Sequence, residues 1–324
     1  MAGITMKEII NKFNGTRILV IGDLMLDKYL YGTVTRISPE APVPIVQIEK
    51  EVSEFGGDAN VINNINNLGG KIEAVGIIGN EDAGKTLLNL LNERNVNTEG
   101  IILSDDRPTM VKTRIIGNNS HIVRLEKGTR KKIGIDISDR MIEYIAKKIK
   151  NYDAILISDY DNGLITPYLS KKLIHLANSN EVPIIVNSKT ENLIQYKKVS
   201  VIISDYQKVS KVVGIKPINE TSIRNIGQWM LTRLDCKGII IMRGEKGMSV
   251  FSRDGAVKHL PIITKGVSDI TGVEDTIIGV MALAVANGSN IIDAAMIANA
   301  AAAIVLGKTG KYTPSKEEII ELMQ

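Results

Sequence analysis

The run Ser268-Asp269-Ile270-Thr271-Gly272-Val273-Glu274-Asp275-Thr276 leads straight into the apolar stretch Ile277–Ala286. A Thr/Gly turn that opens a helix aims amide N–H groups and the positive end of the helix dipole at an anion, and Asp275 is placed to take a proton from a substrate hydroxyl. Together these features suit phosphoryl transfer. The same spacing also describes a plain helix start capped by threonine and aspartate, so spacing alone leaves both readings open.

Other segments offer chemistry of their own. Gly79-Asn80-Glu81-Asp82-Ala83-Gly84-Lys85-Thr86 satisfies the spacing of a phosphate-binding P-loop and follows an apolar run. Its chemistry argues against that role, because Glu81 and Asp82 set two negative charges where the backbone would have to wrap a polyphosphate. Ile155-Leu156-Ile157-Ser158-Asp159 has the form of the acidic strand that accompanies such a loop, a form common in α/β proteins. Gly56-Gly57-Asp58-Ala59-Asn60 opens a helical stretch and allows a small polar ligand close to the backbone. Arg243-Gly244-Glu245-Lys246-Gly247-Met248 lies between apolar runs and reads as a hairpin turn.

Elements must hold these residues, and the apolar pattern supplies them. Short β-branched runs recur at Arg17–Ile21, Ile72–Ile78, Ala154–Ser158, Pro183–Val186, Val201–Ile203 and Gly238–Met242. Segments of helical period follow most of them, among them Asp82–Arg94 and Pro167–Asn178. The alternation predicts βα units around a mostly parallel sheet buried on both faces. Thr33–Glu51 and Thr109–Glu126 break the pattern with the two-residue alternation of exposed strands and predict a small β lid. The last third becomes alanine-rich and helical at Asp275–Ala286 and Ile291–Leu306, with Gly288 and Gly307 placed as stops. With no repeats or interdomain linker, the 324 residues are read as one domain, 1–324, carrying lid segments at about 33–51 and 109–126.

Composition narrows the function. Forty Lys and Arg against 36 Asp and Glu leave a charge of +4 without a basic stripe, which gives no footprint for nucleic acid. The cluster Lys127 to Lys132 reads as a solvated loop. One cysteine, Cys236, excludes an intramolecular disulfide, and three scattered histidines offer no structural zinc site. The N-terminus reads as a short amphipathic helix without signal-peptide features, and no run is long enough to span a membrane. A cytoplasmic protein is expected.

Taken in order, these segments resemble the ribokinase-like carbohydrate kinases over nearly the whole chain, and most closely the D-glycero-D-manno-heptose 7-phosphate kinases. The residues that carry the resemblance are Ile21-Gly22-Asp23-Leu24-Met25-Leu26-Asp27, Arg36-Ile37-Ser38-Pro39-Glu40-Ala41-Pro42-Val43-Pro44, Gly56-Gly57 with Ala59-Asn60, and Lys112 with Arg114. Ser158-Asp159-Tyr160, the Arg243–Met248 turn, Asp269 to Asp275 and Asn299-Ala300-Ala301-Ala302 complete them. The resemblance implies a mostly parallel sheet between helices, with a β lid that closes over the sugar and forms a homodimer contact. It implies ATP and Mg²⁺ as cofactors and a sugar phosphate as substrate, phosphorylated at its C1 hydroxyl. Asp275 becomes the general base, in a catalytic turn with Gly272 and Glu274. Asp23, Asp27, Gly56, Gly57 and Asn60 fall where the sugar is held, with Lys112 and Arg114 for its phosphate. Arg243, Gly244, Gly247 and Thr271 fall at the nucleotide, and Asn299 near the adenine. The P-loop reading, which would put Lys85 at the nucleotide, gives way.

The chain departs from the family pattern where the chemistry is most demanding. Glu274 stands where the anion-hole turn has glycine, Asp205 and Lys208 replace the Asn and Glu that order magnesium, and Asn187-Ser188-Lys189 replaces Asp-Pro-Lys. Asp58 stands where a small residue borders the sugar. Glu274 adds bulk and negative charge where negative charge has to be stabilised. An ion pair between Lys208 and Glu274 would compensate, and failing that the scaffold would be a sugar-phosphate-binding or regulatory protein that transfers nothing.

Overall fold

The computed structural model describes residues 4–189, 193–216, 219–263, 272–308 and 312–324, with the side chains of Phe55, Asp58 and Ala59 outside the description. The readings placed on Ser268 to Thr271, Thr271 at the nucleotide among them, and on the Asp58 side chain therefore lie outside the described residues.

The strands are β1 (Arg17–Gly22), β2 (Leu24–Ile37), β3 (Pro44–Gly57), β4 (Lys71–Gly79), β5 (Asn97–Ser104), β6 (Met110–Gly117), β7 (Ser120–Lys127), β8 (Ala154–Asp159), β9 (Ile184–Ser188), β10 (Val201–Asp205), β11 (Gly238–Met242), β12 (Met248–Ser252) and β13 (Val257–Leu260). The helices are α1 (Met6–Asn11), α2 (Asp58–Asn67), α3 (Asp82–Glu93), α4 (Ile135–Lys148), α5 (Pro167–Ser179), α6 (Tyr206–Val213), α7 (Glu220–Leu234), α8 (Val273–Ala286), α9 (Ile291–Leu306) and α10 (Lys316–Leu322).

Nine strands form one sheet in the order β13-β12-β11-β10-β9-β8-β1-β4-β5. Its neighbours from β5 through β11 run parallel, and β12 and β13 extend it as an antiparallel edge. The β11–β12 connection is the hairpin expected at Arg243–Met248.

Burial on both faces explains the unbroken apolar runs. In β1, Ile18 and Val20 join the core layer that holds α8 and α9, whereas Leu19 and Ile21 join the layer that holds α4, α5 and α7. Helix α8 is apolar around most of its girth and is buried from Thr276 to Ala284. It ends beside Gly288, whose φ of 78° is the left-handed geometry of a helix stop.

A second sheet of four strands, in the order β3-β2-β6-β7, realises the two alternating segments. Its strands reach further than the alternation indicated: β2 begins at Leu24, whose first residues are buried. That buried start ties the lid to the core. Among the described residues no helix is long and apolar enough to cross a membrane.

Candidate active site

In the sheet order β8-β1-β4, successive chain crossovers leave β1 in opposite directions, and a crevice opens there at the strands' C-terminal ends. Asp23 follows β1, Tyr160 follows β8 and Lys189 follows β9. The lid lies above and the first turn of α8 faces it. A cavity of about 220 Å³ between them is lined by Asp27, Gly56, Gly57, Asn60, Lys112, Arg114, Tyr160, Lys189, Gly272, Glu274 and Asp275. Sequence residues spread over nearly the whole chain thus meet in one place.

Asp275 is the best supported group in it. Asn60 Nδ2 donates a short hydrogen bond to one carboxylate oxygen, and the Tyr160 hydroxyl donates to the other at 3.2 Å. Burial pushes the carboxyl up to about 6 and the neighbouring Glu274 pushes the same way, while Asn60, Lys189 and Tyr160 hold it down. A carboxylate poised near 6 is still ionised at neutral pH and is a better proton acceptor than an ordinary one.

The scaffold beneath is a ladder of side chains between α2 and α8. Asn64 Nδ2 donates to the Asn60 carbonyl at 2.9 Å, and Thr276 Oγ1 donates to Asn64 Oδ1 at 2.9 Å. Gly272 caps α8 with φ at 81°, a conformation that favours glycine, and it supplies no capping side chain. A Cβ at Gly272 would lie 3.5 Å from Asn60 Nδ2. The alternative of a plain helix capped by Thr and Asp does not account for this end, because the Asp275 carboxylate faces Asn60 and Tyr160.

The lid builds another wall of the cavity. Asp27 is buried and pairs with Arg114 at 3.0 Å. A Cβ on Gly56 would come within 2.9 Å of the Asp27 carboxyl carbon, so the glycine leaves that carboxylate its place. Arg114 also stacks over the Tyr29 ring at 5.1 Å, and Lys112 lies over the Tyr160 ring at 5.7 Å. Two cations and an acid thus stand on one lid face, because Lys112 and Arg114 are two residues apart on a strand.

Asp23 has a different place. It is buried outside the cavity lining, and its Oδ2 accepts from the backbone N–H of Tyr160 at 3.2 Å and of Asn162 at 3.3 Å. In this structure it holds the turn that presents Tyr160.

Arg243, Gly247 and Asn299 gather elsewhere, around the end of β13. Asn299 Nδ2 donates to the Pro261 carbonyl at 3.0 Å, and Gly247, at φ 77°, packs against the Leu260 carbonyl. Arg243 donates to Ser249 Oγ at 3.0 Å. Gly244, at φ 60°, makes the turn beside them. None of the four lines the cavity described above.

One expectation is corrected. The partner of Glu274 is Lys189, which forms a short ion pair with it, and not Lys208. Lys189 closes β9 beside the crevice, whereas Lys208 lies in the first turn of α6, where its charge acts on Asp159. The P-loop spacing folds around an internal acid: Glu81 accepts from the Thr109 N–H at 2.8 Å, and the Gly79 N–H donates to Thr109 Oγ1 at 3.0 Å. With its own carboxylate inside, that turn has no use for a phosphate, and Lys85 is absent from the cavity.

The metal position also differs from the family pattern. The Asp205 carboxylate caps α6, accepting from the Lys208 N–H at 2.9 Å. Among the described residues no group of three or more acids, histidines or cysteines is placed to hold a metal ion. Mg²⁺ is ordinarily held by one or two carboxylates together with substrate phosphates and not by a dedicated protein cage. Sequence reasoning did not single out Tyr160, Lys189 or Asn64 as site residues. Each lies at a strand end or inside a helix, where only the fold reveals what it faces.

The sequence matches the pfkB family carbohydrate kinases over residues 15–318. The chain belongs to this family. Among its relatives is the protein named bifunctional protein HldE of Geobacter sulfurreducens, 36% identical over 302 residues, which are 93% of this chain and 62% of that protein. The protein of the same name from a Nitratiruptor species is 36% identical over 305 residues, 94% of this chain and 64% of its own length. The chain thus spans less than two thirds of the length of these curated relatives. Arabidopsis thaliana ribokinase complexed with ribose and ATP superposes with a TM-score of 0.74 at 16% identity, over 96% of this chain and 99% of that one. Escherichia coli phosphofructokinase-2 with fructose-6-phosphate gives 0.74 at 18%, over 95% and 98%. At such low identity these structures establish the fold alone.

Membership in the pfkB family makes the chain an ATP-dependent sugar kinase by descent, and the alternative of a binding protein that transfers nothing gains no support from it. In this structure the charge of Glu274 is met by Lys189.

Proposed function

We propose that the chain phosphorylates D-glycero-D-manno-heptose 7-phosphate at its C1 hydroxyl, with ATP taken up as its magnesium complex. The observation that carries this reading is the single cavity in which Asp275, Asp27, Asn60, Lys112 and Arg114 meet. Asp27 and Asn60 suit sugar hydroxyls, and two cations on the lid suit a phosphate already on the sugar. The relatives named bifunctional protein HldE agree with it.

In the proposed reaction Asp275 takes the C1 hydroxyl proton as that oxygen attacks the γ-phosphorus. The new O–P bond forms while the bond to the β,γ-bridging oxygen breaks, and ADP leaves with the electron pair. Arg243, Gly244, Gly247, Thr271 and Asn299 are assigned to the nucleotide. We place the reaction in the cytoplasm, a compartment in keeping with a single cysteine that has no disulfide partner within the chain.

The test is ADP release with ATP, Mg²⁺ and a panel of free and phosphorylated sugars. Heptose 7-phosphate should give the highest kcat/KM, and Lys112→Ala should raise KM for it by about 10- to 100-fold, the worth of one charge-assisted hydrogen bond. A preference for the unphosphorylated sugar would remove the phosphate-binding role of the lid.

We also propose that two copies of the chain pair through their lids. Val123 and Leu125 are 43% and 51% exposed and lie opposite Ile115 and Thr113, on the lid face turned away from Lys112 and Arg114. Sedimentation equilibrium should give a dimer for the unaltered chain and a monomer for Leu125→Asp. A monomeric unaltered chain refutes the pairing.

A further inference from the structure

Lys189 and Glu274 are 85 residues apart in sequence and meet across the crevice, one after β9 and the other in the first turn of α8. Both line the cavity that contains Asp275. The other cations there stand on the lid: Arg114 pairs with Asp27, and Lys112 lies over the ring of Tyr160, which follows β8. Lys189 stands on the side of the base.

The first turn of α8 explains why an acid is found there. Gly272 gives the helix no side-chain cap, so the leading N–H groups and the helix dipole face the cavity. Glu274 is the negative group that the chain itself supplies at that end, and Lys189 neutralises it. The pair is partly exposed, with side chains 21% and 36% accessible, and such pairs are weakly held. A triphosphate carries several charges and several acceptor oxygens, so it competes well against one carboxylate for the same ammonium.

We propose that Lys189 is the cation that meets the transferring phosphoryl group, and that Glu274 holds it as an internal anion until ATP displaces the carboxylate. This inference rests on the kinase reading above. It gives Glu274 the role of a competitor within the site, so that removing its charge improves binding of the triphosphate.

The experiment is calorimetric titration of the full chain with the β,γ-imido analogue of ATP and, separately, with ADP. Glu274→Gln should bind the analogue about tenfold more tightly and Lys189→Met about tenfold more weakly, as expected for close charge pairs. ADP affinity should stay within about twofold in both, because ADP lacks the group that Lys189 meets. The double variant should follow Lys189→Met, since without the ammonium there is nothing to compete for. If analogue affinity is unchanged in Glu274→Gln while the double variant regains a melting temperature lost in each single one, the pair is only a structural tie and the proposal fails. Should the unaltered chain bind neither nucleotide, the kinase reading itself falls.

Discussion

Asp275→Asn lowers kcat by about a thousandfold and leaves KM for ATP within a few-fold, the size expected when a positioned general base is lost and the shape of its side chain is kept. The amide still fits between Asn60 and Tyr160, so the loss reports proton transfer and not collapse of the site. The pH profile gives an independent reading. Burial first, and then the charge on Glu274, raise the carboxyl to about 6. The base works only when ionised, so kcat should be flat above pH 7 and fall about tenfold per unit below 6. Glu274→Gln should move that acid limb to lower pH, because a negative neighbour is removed. Tyr160→Phe should move it to higher pH, because the Tyr160 hydroxyl donates to Asp275 and favours the charged form. An Asp275→Asn variant with near-normal kcat would disqualify the residue as base, and an unmoved limb in both neighbours would place the titration elsewhere.

The fold was legible in the sequence where one physical cause dominated. A strand buried on both faces has to be apolar at every position, and the runs later found as β1, β8, β10 and β11 were plain on that ground. Lid strands with one wet face had to alternate, and they did. Elements were hidden where causes compete. The strand β5 mixes Asn97, Thr98 and Glu99 with apolar residues because it forms a sheet edge, and β13 is only four residues long.

Much of the site was legible as well, because glycines and acids at strand ends have few structural uses. Gly56 and Gly57 beside Asp27 and Asn60, and the turn before Asp275, all reach one cavity. Pairings across the site were not legible. The sequence offered Lys208 as the cation for Glu274, whereas the actual partner, Lys189, depended on which strand end faces α8. The P-loop spacing misleads for a related reason. A turn with that glycine spacing can enclose a phosphate or its own glutamate, and Glu81 decides between the two here.

Asp23→Asn should make the protein more stable at pH 8, and the reason bears on why the acid is there. Burial raises the Asp23 carboxyl from 3.8 to about 6, and repulsion from the buried Asp159 adds to it. A carboxyl raised in the folded state favours folding below about pH 4, where it is protonated in both states, and that advantage is lost as pH rises through 6. By pH 8 the ionised group costs about 3 kcal/mol, from a shift of about two pH units at 1.36 kcal/mol each. Asparagine keeps an oxygen to accept from the Tyr160 and Asn162 N–H groups and has no charge to desolvate. Thermal denaturation should therefore show a higher melting temperature for the variant at pH 8, by about 5 °C, and little difference at pH 4. Sugar affinity should stay within about twofold in the same variant, because asparagine keeps the acceptor that anchors the turn presenting Tyr160 to both Asp275 and Lys112. Equal destabilisation at the two pH values would refute the buried charge as a cost and leave Asp23 as an ordinary turn-forming acceptor. A gain at pH 8 with sugar binding unchanged would mean that the turn needs an acceptor at position 23 and not its charge.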